Sequence, residues 1–79
     1  MQVNVYIKEN CSLCDDAKTI LELLQTEFSF SIEEIDIYKN DSLLEKYHLL
    51  IPVIEIDHTI VDSGIIDYEN IANFLKNKK

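Results

Sequence analysis

Apolar positions along the chain switch repeatedly between the period of a strand and the period of a helix. Val3-Asn4-Val5-Tyr6-Ile7 reads as a strand, and Ala17, Ile20, Leu21, Leu24 and Phe28 then recur at helical spacing, predicting a helix that ends near Thr26. A second strand is expected over roughly Ser31 to Ile37, carrying Ile32, Ile35 and Ile37. Glu33-Glu34 breaks its alternation and leaves its register open. Asn40-Asp41-Ser42 signals a helix start, and Leu43, Leu44 and Tyr47 give a short helix its apolar face before Ile51-Pro52 interrupts it. Val53-Ile54-Glu55-Ile56 and Thr59-Ile60-Val61-Asp62 read as two strands of a hairpin joined at Asp57-His58. Gly64 ends the hairpin. Asp67 caps a last helix whose Tyr68, Ile71, Phe74 and Leu75 face inward, and Lys76, Lys78 and Lys79 suit its C-terminal end.

The order is therefore β-α-β-α-β-β-α. A strand–helix–strand unit closes as a right-handed crossover, so the first two strands are expected to pair in parallel. The hairpin adds antiparallel strands, which gives an α/β fold with a four-stranded mixed sheet and helices on both faces. The 79 residues are enough for one domain over 1–79 and too few for a second core.

Composition narrows the function classes. A hydrophobic share of 47% is ordinary for a packed domain and argues against disorder. No apolar run approaches the roughly 20 residues that a membrane span needs, and Met1-Gln2-Val3-Asn4 does not resemble a secretory leader. A cytoplasmic, soluble protein is expected. The formal net charge of −8 makes nucleic acid and anionic membranes poor partners and suits solubility.

Both cysteines fall in one motif, Cys11-Ser12-Leu13-Cys14, between the first strand and the first helix. The first sulfur then sits where unsatisfied helix N–H groups and the dipole favour an anion, so the Cys11 thiol is expected to ionise easily. Cys14, one turn along, is near enough to close a small disulfide and exchange two electrons with another. Asp15 and Asp16 act against part of this by their charge. In a reducing compartment such a pair is catalytic, redox-sensing or metal-binding more often than a structural staple. His48 and His58 do not complete a zinc site on this reading. Each stands where a positive φ is called for, at a helix end and in a hairpin turn, and each reads as a glycine substitute.

Lys8-Glu9-Asn10-Cys11-Ser12-Leu13-Cys14, Ile51-Pro52-Val53 and Ser63-Gly64 fall in the order and spacing of glutaredoxins, of the thioredoxin-like fold. The chain resembles them over essentially its whole length. The stretch from Leu44 to Val53 looks most like a small glutaredoxin-like subfamily of bacterial proteins. The resemblance implies that Cys11 is the nucleophile, Cys14 the resolving cysteine, and Lys8 a cation favouring the thiolate or attracting a glutathione carboxylate. It implies a cis bond before Pro52, facing the cysteine pair, with Ile51 offering its backbone to substrate. Ser63-Gly64 stands for the family's Gly-Gly, and of the acidic pair that follows only Asp67 remains, Ile66 occupying the other place. Gly64, the chain's only glycine, is expected where a Cβ is not tolerated.

The implied function is a monomeric thiol–disulfide oxidoreductase acting on protein disulfides or glutathione mixed disulfides. Glutathione is the implied co-substrate, or a reductase the electron source, and no bound cofactor or metal is expected. A redox-sensing interaction module switched by the Cys11–Cys14 disulfide, and a carrier sharing an iron–sulfur cluster through Cys11 and glutathione, are the alternatives.

Overall fold

The computed structural model describes residues 1–77, so Lys78 and Lys79 lie outside the described residues. The elements are β1 (Gln2–Ile7), α1 (Ser12–Leu24), β2 (Ser31–Asp36), a 3-10 turn (Ile37–Lys39), α2 (Asp41–Tyr47), β3 (Val53–Ile56), β4 (Thr59–Ser63) and α3 (Tyr68–Lys76). The sheet order is β2-β1-β3-β4, with β1 and β2 parallel and the other pairs antiparallel. This is the mixed sheet of the thioredoxin-like fold.

Strand parity divides the core into two. Val3, Val5, Ile54 and Ile56 point to one face and are buried against Ala17, Leu21 and Leu24 of α1 and Ile71, Ala72 and Leu75 of α3. Tyr6 and Val53 point to the other face, where Ile37 and Tyr47 complete a smaller cluster. Parity also explains Glu33-Glu34. Ile32 packs into the first cluster and Ile35 against the second, so the two isoleucines straddle an edge strand whose register with β1 runs unbroken. Ile37 lies past the strand, in the 3-10 turn that Asp36 caps by accepting the N–H of Tyr38 at 2.9 Å.

The expected caps are present. Asn40 Oδ1 accepts the N–H of Leu43 at the start of α2 (3.2 Å), and Asp67 Oδ1 accepts that of Glu69 at the start of α3 (2.9 Å). Asp57 and His58 take positive φ values of 51° and 62°, as their hairpin place requires. One expectation is corrected. His48 is right-handed helical (φ −59°, ψ −25°), because the chain closes α2 by further turning rather than with a left-handed residue. The N–H groups of Leu50 and Ile51 both donate to the Tyr47 carbonyl (2.8 and 3.2 Å). At Gly64 a Cβ would meet nothing within 4 Å, so glycine is suited there by its φ of +72° and not by crowding. Among the described residues, no helix is long and apolar enough to cross a membrane.

Candidate active site

The register sets which residues share an end of the sheet. Tyr6 pairs with Val53, and Val53 with Ser63. The end of β1, the start of β3 and the end of β4 therefore lie side by side, strands being about 4.8 Å apart. From this edge lead the cysteine motif, the Ile51-Pro52 segment and Ser63-Gly64.

The connection from β1 to α1 turns at Asn10, whose φ of 54° had no clear signal in the sequence beyond asparagine's tolerance of that region. Cys11 follows in extended conformation as the N-cap of α1. Its Sγ accepts the backbone N–H of Cys14 at 3.2 Å, the place an oxygen usually takes in a helix cap. Cys11 and Cys14 are joined as a disulfide, with Cα atoms 5.2 Å apart. Their environments differ. Cys14 is 2% exposed, whereas Cys11 is partly open and lines a cavity of about 360 Å³ that it shares with Lys8, Asp15 and Asp36. Lys8, half-buried, also borders a neighbouring cavity of about 540 Å³ with Tyr38 and Lys39. Asp15 is exposed and meets Lys18 at 3.8 Å, and Lys18 reaches Glu34 at 3.4 Å.

The Ile51–Pro52 peptide bond is cis, as the resemblance implies. Pro52 is buried, and Ile51 packs against the cluster formed by Tyr6, Ile37, Tyr47 and Val53. The N–H of Gly64 donates to the carbonyls of Leu50 (3.0 Å) and Pro52 (2.8 Å), which ties Ser63-Gly64 to the proline segment. The structure thus brings Lys8 to Cys11 and Ile51-Pro52 to Ser63-Gly64, both pairs at one sheet end. Asp67 spends its carboxylate on its own helix.

Sequence reasoning passed over Asp62. One of its oxygens accepts the N–H of Ser63 (2.9 Å), and the other accepts the N–H of Asp67 (2.9 Å) and the side-chain amide of Asn70 (3.3 Å). An aspartate closing a strand just before a Ser-Gly turn is the available signal for such a tie.

Comparison with known proteins decides the family. The model of the Glutaredoxin-like domain (DUF836) matches residues 2–76. The chain belongs to this family. Among solved structures, protein Ne2328 of Nitrosomonas europaea is 28% identical, with a TM-score of 0.83 over 94% of this chain and 89% of that one. Protein XcR50 of X. campestris is 20% identical, with a TM-score of 0.79 over 98% and 99% of the two chains. The glutaredoxin of E. coli is 20% identical, with a TM-score of 0.59 over 98% and 95%, a likeness of fold alone. No curated protein matches the chain. Membership of the glutaredoxin-like family, together with a cysteine pair at a helix start, points to thiol–disulfide redox chemistry.

Proposed function

We propose that this glutaredoxin-like protein is a dithiol oxidoreductase that reduces protein disulfides or glutathione mixed disulfides through Cys11 and Cys14. One observation carries the reading: Cys11 caps α1, partly open and hydrogen-bonded at its sulfur by the Cys14 N–H, while Cys14 is buried. In the reduced protein the same N–H and the helix start stabilise negative charge on Cys11 Sγ, and the thiolate is the attacking species. It attacks one sulfur of the substrate disulfide and displaces the other as a thiolate, which takes up a proton. Cys14 then gives up its proton and attacks Cys11 Sγ. That step releases the second substrate thiol and leaves the Cys11–Cys14 disulfide. Two electrons have passed from the dithiol to the substrate. Glutathione or a reductase returns them, so the reading assigns the protein to a reducing compartment such as the cytoplasm.

The other groups serve binding. Lys8 attracts a substrate carboxylate or favours the thiolate. Ile51, before Pro52, offers its backbone to the substrate as an added strand, and Ser63, Gly64 and Asp67 frame the far side. The test uses pre-reduced protein and hydroxyethyl disulfide, followed by acid quench and mass spectrometry. Wild type is expected to form the intramolecular disulfide, Cys11→Ser to stay inert, and Cys14→Ser to stall as a mixed disulfide on Cys11. Exchange by Cys11→Ser at the wild-type rate would overturn the assignment of roles.

A further inference from the structure

We infer that Asp62 is a specificity-determining residue of the disulfide site: it fills, from inside the chain, donors that an incoming carboxylate would use, and so disfavours acidic disulfides. The inference rests on the oxidoreductase reading above and concerns which substrates that site accepts. Asp62, half-buried in β4, accepts three hydrogen bonds: from the N–H of Ser63 (2.9 Å), the N–H of Asp67 (2.9 Å) and the side-chain amide of Asn70 (3.3 Å). It thereby closes a ring over residues 62–67, from β4 to the start of α3. The ring is a wall of the site. Its Ile65 and Ile66 line one cavity with Leu13 of the cysteine motif and with Asp16, and Leu13 and Ile65 are both exposed. The Gly64 N–H ties the same ring to Leu50 and Pro52.

Backbone N–H groups at a turn and at a helix start are the donors that favour an anion. Here they are taken. A substrate carboxylate reaching Ser63 or Asp67 meets N–H groups already bonded to Asp62, beside a second carboxylate, Asp67, that holds the Glu69 N–H. To bind, it must displace one charge-assisted hydrogen bond in order to make another, against like charge. The cavity that Cys11 lines is different, because it carries both signs: Lys8 and Lys18 with Glu9, Asp15 and Asp36. On the wall built by the ring the charges are negative, Asp16, Asp62 and Asp67. A disulfide whose sulfur has neutral or basic neighbours suits that wall, and one with a carboxylate near the sulfur is turned away.

The test compares how fast pre-reduced protein is oxidised by dithiodipropionate, hydroxyethyl disulfide and cystamine, which are acidic, neutral and basic at neutral pH. In each exchange the protein dithiol becomes the Cys11–Cys14 disulfide and the added disulfide becomes two thiols, so no reductase is needed. Salt of about 150 mM damps the long-range field of the chain's −8 charge. Rates are read as ratios to hydroxyethyl disulfide. Asp62→Asn removes the charge and keeps one acceptor oxygen, and it is expected to raise the dithiodipropionate ratio about threefold. Asp62→Ala also frees the donors and is expected to raise that ratio about tenfold. The cystamine ratio should fall in both. Glu69→Gln, which neutralises an exposed acid in the first turn of α3, is expected to move either ratio less than about twofold. A role limited to holding the loop would change all three rates together, so ratios unchanged in both Asp62 variants overturn the inference. Glu69→Gln moving the ratios as far as Asp62→Asn also overturns it, since overall acidity would then set the preference. If Asp62→Ala does not fold, the comparison of Asp62→Asn with Glu69→Gln decides alone. A wild type inert even toward hydroxyethyl disulfide removes the oxidoreductase reading itself, and the inference falls with it.

Discussion

The two faces of the sheet are built to different depths. On one, two helices cover the strands, and Val3, Val5, Leu21, Leu24, Ile54, Ile56 and Ile71 are fully buried. On the other, the seven residues of α2 cover part of the sheet, and four residues form the buried cluster. Beside that cluster the face carries a polar group of side chains. Asn4 and Tyr6 both donate to Glu55, at 3.2 and 2.8 Å. The candidate site draws on both faces. The cysteine motif opens α1, which is rooted in the deep core, while Ile51-Pro52 hangs from the shallow one through the Tyr47 carbonyl and the packing of Ile51. Apolar burial of the first kind anchors the start of α1, where the proposed nucleophile Cys11 stands. The second kind leaves the Ile51-Pro52 segment rooted in a smaller cluster, and less deeply packed segments open first.

The comparison can be broken most directly at Leu21, which is fully buried in the deep face. Leu21→Ala is expected to cost about 2–5 kcal/mol, a large share of the 5–15 kcal/mol that holds a typical domain, read from urea unfolding. The rate of disulfide exchange by the protein that remains folded should change little. A loss below about 1 kcal/mol would mean that this core closes around the gap and is not the rigid half.

Tyr47 is the counterpart on the shallow face. Its ring lies 4.7 Å from that of Tyr6, and Lys46 Nζ sits 5.1 Å from its centroid. Tyr47→Leu is expected to cost roughly 1.5–3 kcal/mol through lost ring packing and an altered shape. Because Ile51 packs on this cluster, the same variant should slow disulfide exchange measurably in the folded protein. Equal slowing by Leu21→Ala would erase the division of labour between the faces.

How much of this was legible in the sequence varies with what fixes each feature. β1, α1, the hairpin and α3 follow from local periodicity, and the caps at Asn40 and Asp67 from side chains that bond their own helix starts. Those interactions span a few residues, so a single sequence contains them. The end of β2 was not legible in the same way, because Ile37 is buried by Tyr6, Tyr47 and Val53, from three other elements, and leaves the strand to get there. His48 shows the limit of local rules, since a helix end can close in right-handed turns as well as with a left-handed residue. At the site, Cys11 and Cys14 announce themselves by spacing, but the exposure of Leu13 and Ile65 and the ties of Asp62 depend on how β4 meets α3. That is a tertiary fact.

Gly64 sharpens the comparison because it joins the shallow-face loop to β4. Its φ of +72° and the open space around a Cβ predict that Gly64→Ala costs roughly 1–2 kcal/mol from backbone conformation alone. The hydrogen bonds to Leu50 and Pro52 should persist, so exchange activity should fall less than in Tyr47→Leu. Matched thermal melts and exchange rates check this. A loss well above that range would mean that the loop rearranges.

The smallest expected effect concerns the polar part of the shallow face. Burial works against ionisation of Glu55, but hydrogen bonds from Asn4 and Tyr6 and the positive field of His58 and Lys46 outweigh it, so its carboxyl stays below the usual 4.5. A pKa lowered on folding adds stability that is present above 4.5 and is lost as pH falls through the folded value. Tyr6 behaves in the opposite sense. Burial first, then the hydrogen bond and charge of Glu55, push its hydroxyl up to about 12 from 10.0, so its contribution holds below 10.0 and is lost between these values. Glu55→Gln keeps one acceptor oxygen and is expected to cost about 0.5–1.5 kcal/mol at neutral pH. The gap between wild type and variant in urea midpoint should narrow as pH falls below 4.5, because protonation then removes from the wild type the charge that the variant lacks. Tyr6→Phe should lose less stability than the wild type between 10.0 and about 12, keeping only the weakening that Tyr68, whose hydroxyl is also raised by Glu27, contributes. A Glu55→Gln gap that stays constant down to about pH 3 would show that hydrogen-bond geometry, not the charge, gives this face its polar contribution.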